Sequence, residues 1–407
     1  MINAPIINAG YGKGHSMYSR KLRGTVICAI LLLATGAAAG MDQGDPARNL
    51  LTGSDGNSSP SLSETAVDQS PCAGCCDVVG CQSYCCPRWT ASADFIVLDR
   101  IGGAHQTLVE AVPRAAAPNF GDVFTTPGAE ILNSNDLRQG FSSGPRVGLI
   151  RHGDSGYDLE LSYFQIDGWS SDTTVVPDPA DWLVMRAPGH WLFTSDPAGW
   201  PGWIQTNQHP WQAMAWEYAT ELYSAEFNIR WNPSCRVTVL AGFRWVNLRD
   251  NLRGALSPPT MPEPPFWNGT TRNNLYGFQI GADGKIWERG RFSIEGLAKA
   301  GIFDNNAEAT TEVSVIHKSV HSASASTNDA AFVGETGLQC KYRVAKSLVL
   351  KAGYEAIWLE GVALAPGQIQ ETYTTTRFIG STVQALGVNC SSGVFCHGAT
   401  AGLEYSF

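Results

Sequence analysis

The spacing of amphipathic segments constrains this 407-residue chain more than any other feature. After Trp89, ten segments alternate apolar and polar residues with period two, as strands with one apolar and one polar face do. Tight turns strictly alternate with connections of roughly 25 to 50 residues, far longer than the loops of compact domains. The segments are residues 89–97, 146–152, 157–166, 222–231, 236–245, 276–286, 291–302, 332–342, 348–358 and 398–407.

This alternation is typical of an outer-membrane barrel, which has an even number of antiparallel strands, short periplasmic turns and long extracellular loops. The sheet must close because an open edge cannot be hydrogen-bonded in lipid. We therefore predict an all-β fold: an antiparallel transmembrane β-barrel of about ten strands. A secreted β-sandwich also has alternating strands, but it does not explain the asymmetry of the loops.

The polar faces of these segments carry charges of both signs. Facing lipid, each would cost about 2–4 kcal/mol at the midplane, so we expect the charges to line the lumen and to pair there. Ten strands lie near the size at which side chains fill a barrel, which favours a narrow or plugged lumen over a wide pore. The predicted lumen charges are Arg146, Asp158, Glu160, Glu226, Arg230, Arg244, Asp283, Lys285, Glu295, Lys299, Glu335, Lys341, Lys351, Glu355 and Glu404.

The chain ends on an alternating strand whose apolar face includes Leu403, Tyr405 and Phe407. This ending resembles the C-terminal signal of bacterial outer-membrane proteins, which the barrel-assembly machinery reads. The resemblance implies that machinery as a partner, together with outer-membrane lipid.

The N-terminal part predicts export and contains most of the cysteines. Residues 1–39 combine basic residues, an apolar run and Ala37-Ala38-Ala39, which is typical of a cleaved signal peptide. Residues 40–87 are interpreted as a disordered spacer followed by a cysteine-rich periplasmic segment, and residues 88–407 as the barrel. The net charge of −9 argues against nucleic acid as a partner.

Exported proteins can form disulfides, and zinc is the alternative for the cysteine-rich segment, which lacks a matching histidine pair. His317 and His321 are four residues apart in a polar stretch and are a weak metal candidate. We predict no cofactor and expect free thiols at Cys235 and Cys340. The disulfide candidates are Cys72, Cys75, Cys76, Cys81, Cys85 and Cys86, with a separate loop-closing pair, Cys390 and Cys396.

Residues 85–100, 144–164 and 223–252, with the LAGFRW element and the GLEYSF ending, resemble the putative beta-barrel porin family of planctomycete bacteria, the seventh in its numbered series. The resemblance covers about residues 85–407 and implies an outer-membrane barrel without assigned catalytic residues.

We therefore predict a monomeric outer-membrane barrel that is not an enzyme. It would be either porin-like or a structural, surface-binding protein, with small solutes or surface ligands as partners. The second loop, 169–219, is expected to fold over the mouth, bind something or pack on itself because it contains Trp169, Trp182, Trp191, Trp200, Trp203, Trp211 and Trp216. The alternative is a barrel enzyme of omptin or phospholipase type, for which His105, His190, His209 and His397 are the available histidines.

Overall fold

A computed structural model describes residues 87–103, 105–118, 122, 125–153, 156–185, 193–195, 213–257, 266–314, 320–377 and 380–407. These residues contain sixteen strands, and ten of them form a closed antiparallel barrel. The barrel strands are β1 (Trp89–Ile101), β4 (Phe141–Arg151), β5 (Tyr157–Val175), β8 (Ala213–Ser234), β9 (Val237–Ser257), β10 (Phe266–Arg289), β11 (Phe292–Ser314), β12 (Val320–Arg343), β13 (Leu348–Val362) and β16 (Ser392–Ser406).

The barrel closes because the terminal strand pairs with the first. The Trp89 amide donates to the Phe407 carbonyl at 2.8 Å, and the Phe407 amide donates back to the Trp89 carbonyl at 2.9 Å. Around the ring the order is β1-β16-β13-β12-β11-β10-β9-β8-β5-β4, so each strand lies beside its neighbour in the barrel sequence. The predicted fold class and all ten barrel strands are confirmed.

Two of the five predicted long loops are mostly strand. β9 runs to Ser257 and β10 begins at Phe266, while β11 runs to Ser314 and β12 begins at Val320. Strands β10 and β12 each contain 24 residues, more than twice the 9–11 that cross a bilayer. The predicted strands are shorter than the observed ones because, partway along each strand, the apolar side chains change from the outer face to the inner face. Strand β8 shows this change.

Strand β8 reverses its amphipathicity halfway along. We call the end of the barrel nearer the short turns, such as the one between β8 and β9, the lower end. In the lower half of β8, Glu226 and Asn228 face inward and are buried, whereas Phe227 faces outward and is 44% exposed. In its upper half, Trp216 faces inward and is buried, whereas Glu217 is exposed. The lower barrel thus has an apolar outer wall and a polar interior, and the upper barrel has the arrangement of a water-soluble β-protein.

The remaining strands form two small sheets. β2 (Thr107–Pro113), β3 (Ala129–Asn133), β6 (Asp181–Met185) and β7 (Phe193–Ser195) pair in the order β3-β2-β6-β7, and β14 (Thr372–Arg377) pairs with β15 (Gly380–Ala385). Among the described residues, no helix is long and apolar enough to cross a membrane.

Candidate functional site

The lower lumen contains a charged cavity of about 180 Å³. Two of the other predicted lumen charges, Arg244 and Glu355, lie in the ion-pair cluster beside it. The predicted charges that line the cavity are Arg146, Glu160, Glu226, Arg230, Asp283, Glu295, Lys299, Glu335, Lys341, Lys351 and Glu404.

Two predicted lumen charges lie elsewhere. Asp158 is buried, and its carboxylate contacts the His152 ring at 3.1 Å and accepts a hydrogen bond from the Asn232 amide at 3.1 Å. Lys285 does not line the cavity. It pairs with Glu288 at 3.3 Å, because a bulge between Lys285 and Trp287 interrupts the alternation there.

A buried ion-pair cluster forms the upper wall of the cavity. Arg244 Nη1 lies 2.8 Å from Glu335 Oε2 and 3.4 Å from Glu226 Oε1. Lys299 Nζ lies 2.8 Å from Glu226 Oε2 and 3.8 Å from Glu335 Oε1. Each carboxylate therefore faces two cations, as buried charges require.

The same cluster continues to Arg146, which binds Glu355 through two parallel hydrogen bonds of 2.6 and 2.9 Å. Such a bidentate pair is among the stronger polar contacts in proteins. Arg146 also lies 3.9 Å from Glu335, which joins it to the other pairs. The cluster contains three cations and three carboxylates and is neutral.

Closer to the short turns between strands, the lining is acidic. Arg230 binds Glu160 at 3.0 Å and Asp283 at 2.6 Å. The other cations are Lys341, which contacts Glu295 and Glu404, and Lys351, which contacts Asp94. Three cations thus face five carboxylates, an excess of two negative charges.

A layer of buried apolar side chains fills the barrel above the cluster. Nine of the ten barrel strands contribute, and every member is at most 5% exposed. The layer consists of Ile96, Leu98, Phe164, Ile166, Trp169, Leu222, Val246, Leu248, Leu275, Phe303, Ala331, Val333, Ile357, Leu359, Val362, Leu364, Val394 and Cys396.

The chain turns into the barrel after β13, and we call residues 363–369 the mouth insert. Gly361 makes the turn with φ of 80°, at a bulge where an added Cβ would lie 2.5 Å from the Ala330 carbonyl oxygen. Glycine fits because it tolerates both positive φ and close backbone approach. The insert contains a 3-10 turn, Ala365–Gln368, and all seven of its residues are buried.

Side chains from the barrel wall satisfy the backbone of the mouth insert. The Asn273 amide donates to the Ala363 carbonyl at 2.8 Å, and its oxygen accepts from the Ala363 amide at 2.7 Å. Thr271 also donates to the Ala363 carbonyl, at 2.9 Å. The Asn305 amide donates to the Gly361 carbonyl at 2.9 Å. These contacts meet the requirement that buried backbone groups be paired.

A second anchor for the insert is Asp250. Its carboxylate accepts from the Ala365 amide at 2.9 Å, from Tyr218 at 2.8 Å and from Thr220 at 2.6 Å. Arg100 donates to the Tyr218 hydroxyl at 2.9 Å and lies 3.5 Å from Asp250. The buried Asp250 carboxylate thus has hydrogen-bond donors and a cation around it, and one of those donors is the backbone of the mouth insert.

Above the insert, the small four-stranded sheet closes the barrel mouth. Leu108 of β2 and Leu183 of β6 pack in one buried cluster with Trp216 of β8, Trp267 of β10 and Ile369 of the insert. Parts of the first, second and fifth long connections therefore fill the upper barrel.

The tryptophans of the second loop occupy several environments. Trp169 and Trp216 belong to β5 and β8 and point into the barrel, so they are not loop residues. Trp182 lies in β6 and donates to the Ala117 carbonyl at 3.1 Å. Residues Trp191, Trp200, Trp203 and Trp211 lie outside the described residues.

Two of the cysteine predictions are wrong. Cys390 and Cys396 are both free and buried. Cys396 lies within strand β16, which begins at Ser392, whereas Cys390 precedes the strand. Burial raises the pKa of the Cys390 thiol to about 11. Cys235 is disulfide-bonded rather than free, whereas Cys340 is free and exposed.

The cysteine-rich segment, with Cys72, Cys75, Cys76, Cys81, Cys85 and Cys86, lies outside the described residues, as do the predicted signal peptide and spacer.

The histidines do not gather into one site within the described residues. His105 lies at the surface, 3.4 Å from Glu130, and His397 belongs to β16, where its ring contacts the Tyr354 hydroxyl. His321 is on β12, and His190, His209 and His317 lie outside the described residues. No group of three or more His, Cys, Asp or Glu side chains in the described part of the chain is arranged to hold a metal.

The family comparison assigns the chain to a class of membrane barrels. The family described as putative beta barrel porin-7 matches residues 89–407, and the protein belongs to that family. This confirms the resemblance seen in the sequence, and the matched range coincides with the barrel.

Two of the solved structures that match this chain have low sequence identity to it. The outer membrane protease OmpT of Escherichia coli has 10% identity and a TM-score of 0.44, and the match covers 78% of this chain and 96% of that one. The Pseudomonas putida toluene transporter TodX has 10% identity and a TM-score of 0.28, covering 78% and 90%. These similarities are too weak to carry an argument about function. No curated protein matches the sequence.

Proposed function

We propose that this protein is an integral outer-membrane barrel whose resting lumen is closed, and that it is a structural or surface-binding protein rather than an open diffusion pore. The observation that carries the proposal is the mouth insert, whose seven residues are buried inside the barrel. The apolar layer below it supports the same conclusion, because water and ions would have to cross a packed apolar region.

Several features support the outer membrane as the location. The lower outer wall is a band of exposed apolar side chains, such as Phe278 at 77%, Ile280 at 69% and Ile302 at 76%. Tyr405 and Phe407 stack at the end of β16 with ring centroids 5.8 Å apart. We propose that Leu403, Tyr405 and Phe407 are read by the barrel-assembly machinery, and that lipid covers the apolar band.

We also propose that the protein is not an enzyme. His105 and His397, the two described histidines of the alternative hypothesis, lie on different elements and contact a surface glutamate and a tyrosine. Substitution of His105, His190, His209 and His397 by alanine should change no hydrolytic activity against peptides or phospholipids. Loss of such an activity would favour the enzyme.

Solute uptake by liposomes tests the closed lumen. Refolded protein should first show heat-modifiable migration in gels, which is the behaviour of a folded membrane barrel. Liposomes containing it should then swell in isotonic glucose no faster than empty liposomes, because the apolar layer leaves no continuous water path. Fast swelling by folded protein would contradict the closed state.

A further inference from the structure

A row of charged side chains crosses the outer wall of the barrel above the apolar band. Arg249 on β9 lies directly opposite Arg272 on β10. Glu221 on β8 is the other neighbour of Arg249, and Glu308 on β11 is the other neighbour of Arg272. Like charges directly opposite each other on one face of a sheet are destabilising. The central arginine pair is therefore unfavourable unless an anion lies between the two guanidinium groups.

The flanking carboxylates satisfy the two arginines only in part. Arg249 Nη1 lies 3.8 Å from Glu221 Oε2, which also accepts a hydrogen bond from Tyr223 at 2.8 Å. Arg272 forms no ion pair with a described residue, although Glu308 is its cross-strand neighbour. The Arg249 side chain is 44% exposed, and Arg272 is exposed as well. Both guanidinium groups therefore have donors available to a ligand.

The height of the row matches the head groups of a bilayer. Trp245 and Tyr276 lie opposite each other near the upper edge of the apolar band. Arg249 is four residues further along β9, which is about 13 Å on the strand and about 10 Å above Trp245 for strands tilted by 35–45°. Head groups add roughly 5–8 Å beyond the hydrocarbon, a layer that an arginine side chain can reach from this height.

We propose that Arg249 and Arg272 form a clamp for the phosphate group of an anionic lipid in the outer leaflet, an inference that rests on the proposed membrane location. Two guanidinium groups can bind one phosphate with several charge-assisted hydrogen bonds. The neighbouring rows are polar: Asn247 donates to Asn274 at 2.7 Å and Asn251 donates to Thr270 at 2.8 Å. These rows place polar rather than apolar side chains beside the two arginines, and Asn247 is buried, so the charged contacts to a head group come from the arginines.

Binding of phosphatidic acid to the full-length refolded barrel tests the clamp. The protein is placed in phosphatidylcholine nanodiscs with and without phosphatidic acid, and retained lipid is measured by native mass spectrometry. The double variant Arg249→Gln/Arg272→Gln should bind phosphatidic acid about tenfold more weakly, because it loses the charge-assisted contacts. The matched control, Arg289→Gln/Arg291→Gln near the periplasmic turn, removes the same charge and should bind normally.

One further double variant, a change of ionic strength and one competitor extend the test. Glu221→Gln/Glu308→Gln should bind more tightly, since it removes repulsion of the phosphate. Higher ionic strength should weaken binding by the parent protein, and inorganic phosphate should not compete at millimolar concentration.

Equal binding by the clamp variant and the control would overturn the proposal, and so would competition by inorganic phosphate, which would indicate a free-anion site. A heat-modifiable, non-conducting barrel without lipid preference would reject only the clamp. Failure of the protein to fold in any detergent would reject the proposed function.

Discussion

Replacement of Arg244 by methionine is expected to lower the free energy of unfolding by about 3–5 kcal/mol, the usual cost of breaking a buried ion pair from one side. Arg244 is 1% exposed and faces both Glu226 and Glu335. Without it, two buried carboxylates share Lys299 as their nearest cation. Urea titration of the refolded barrel, followed by tryptophan fluorescence, measures the change.

Two variants separate the charge effect from general damage. Arg249→Met on the same strand removes an exposed arginine and should cost no more than about 0.5 kcal/mol. The double variant Arg244→Met/Glu335→Leu restores equal numbers of cations and carboxylates and should recover at least half of the loss. If Arg244→Met lowered the free energy of unfolding no more than Arg249→Met does, the ion-pair cluster would not be the desolvated network described above.

Substitution of Asn273 by alanine is expected to loosen the mouth insert. It removes both hydrogen bonds to the Ala363 backbone and leaves a buried N–H without its partner, which costs about 1–3 kcal/mol for an unsatisfied buried group. Hydrogen exchange of the backbone amides of the mouth insert, residues 363–369, should accelerate by roughly tenfold to a hundredfold, because protection scales with the free energy of local opening.

Asn306→Ala is the matched control for this substitution. Asn306 is on the neighbouring strand, and its amide donates to Asn328 on the exposed face at 2.8 Å. It should leave the exchange of the insert unchanged. Equal acceleration by both variants would mean that Asn273 has no special role in holding the insert.

The barrel was predictable because two constraints act on every strand. Lipid requires an apolar outer face, and a narrow lumen tolerates charges, so Phe227 and Glu226 alternate visibly in the sequence. The lengths of the connections then distinguish the two ends of the barrel, because the short turns lie at one end and the long connections at the other. The same reasoning did not extend above the apolar band, where the outer wall is polar and exposed residues such as Glu217 replace outward phenylalanines.

The closing elements were not predictable from single residues. Asn273 and Asp250 look like ordinary polar strand residues, and their role depends on a chain segment that returns about 90 to 115 residues later. The one local signal was the apolar stretch VALAPG after β13, which is unusual for an exposed loop. The pairing of lumen charges was expected, but their division into a neutral cluster and an acidic layer depends on barrel register.

Planar-bilayer conductance of the refolded, heat-modifiable protein tests the closed lumen most directly. The unmodified barrel should be silent in 1 M KCl, since the mouth insert and the apolar layer block the path of ions. Discrete, salt-dependent steps from the unmodified protein would contradict this expectation and would show that the lumen is open.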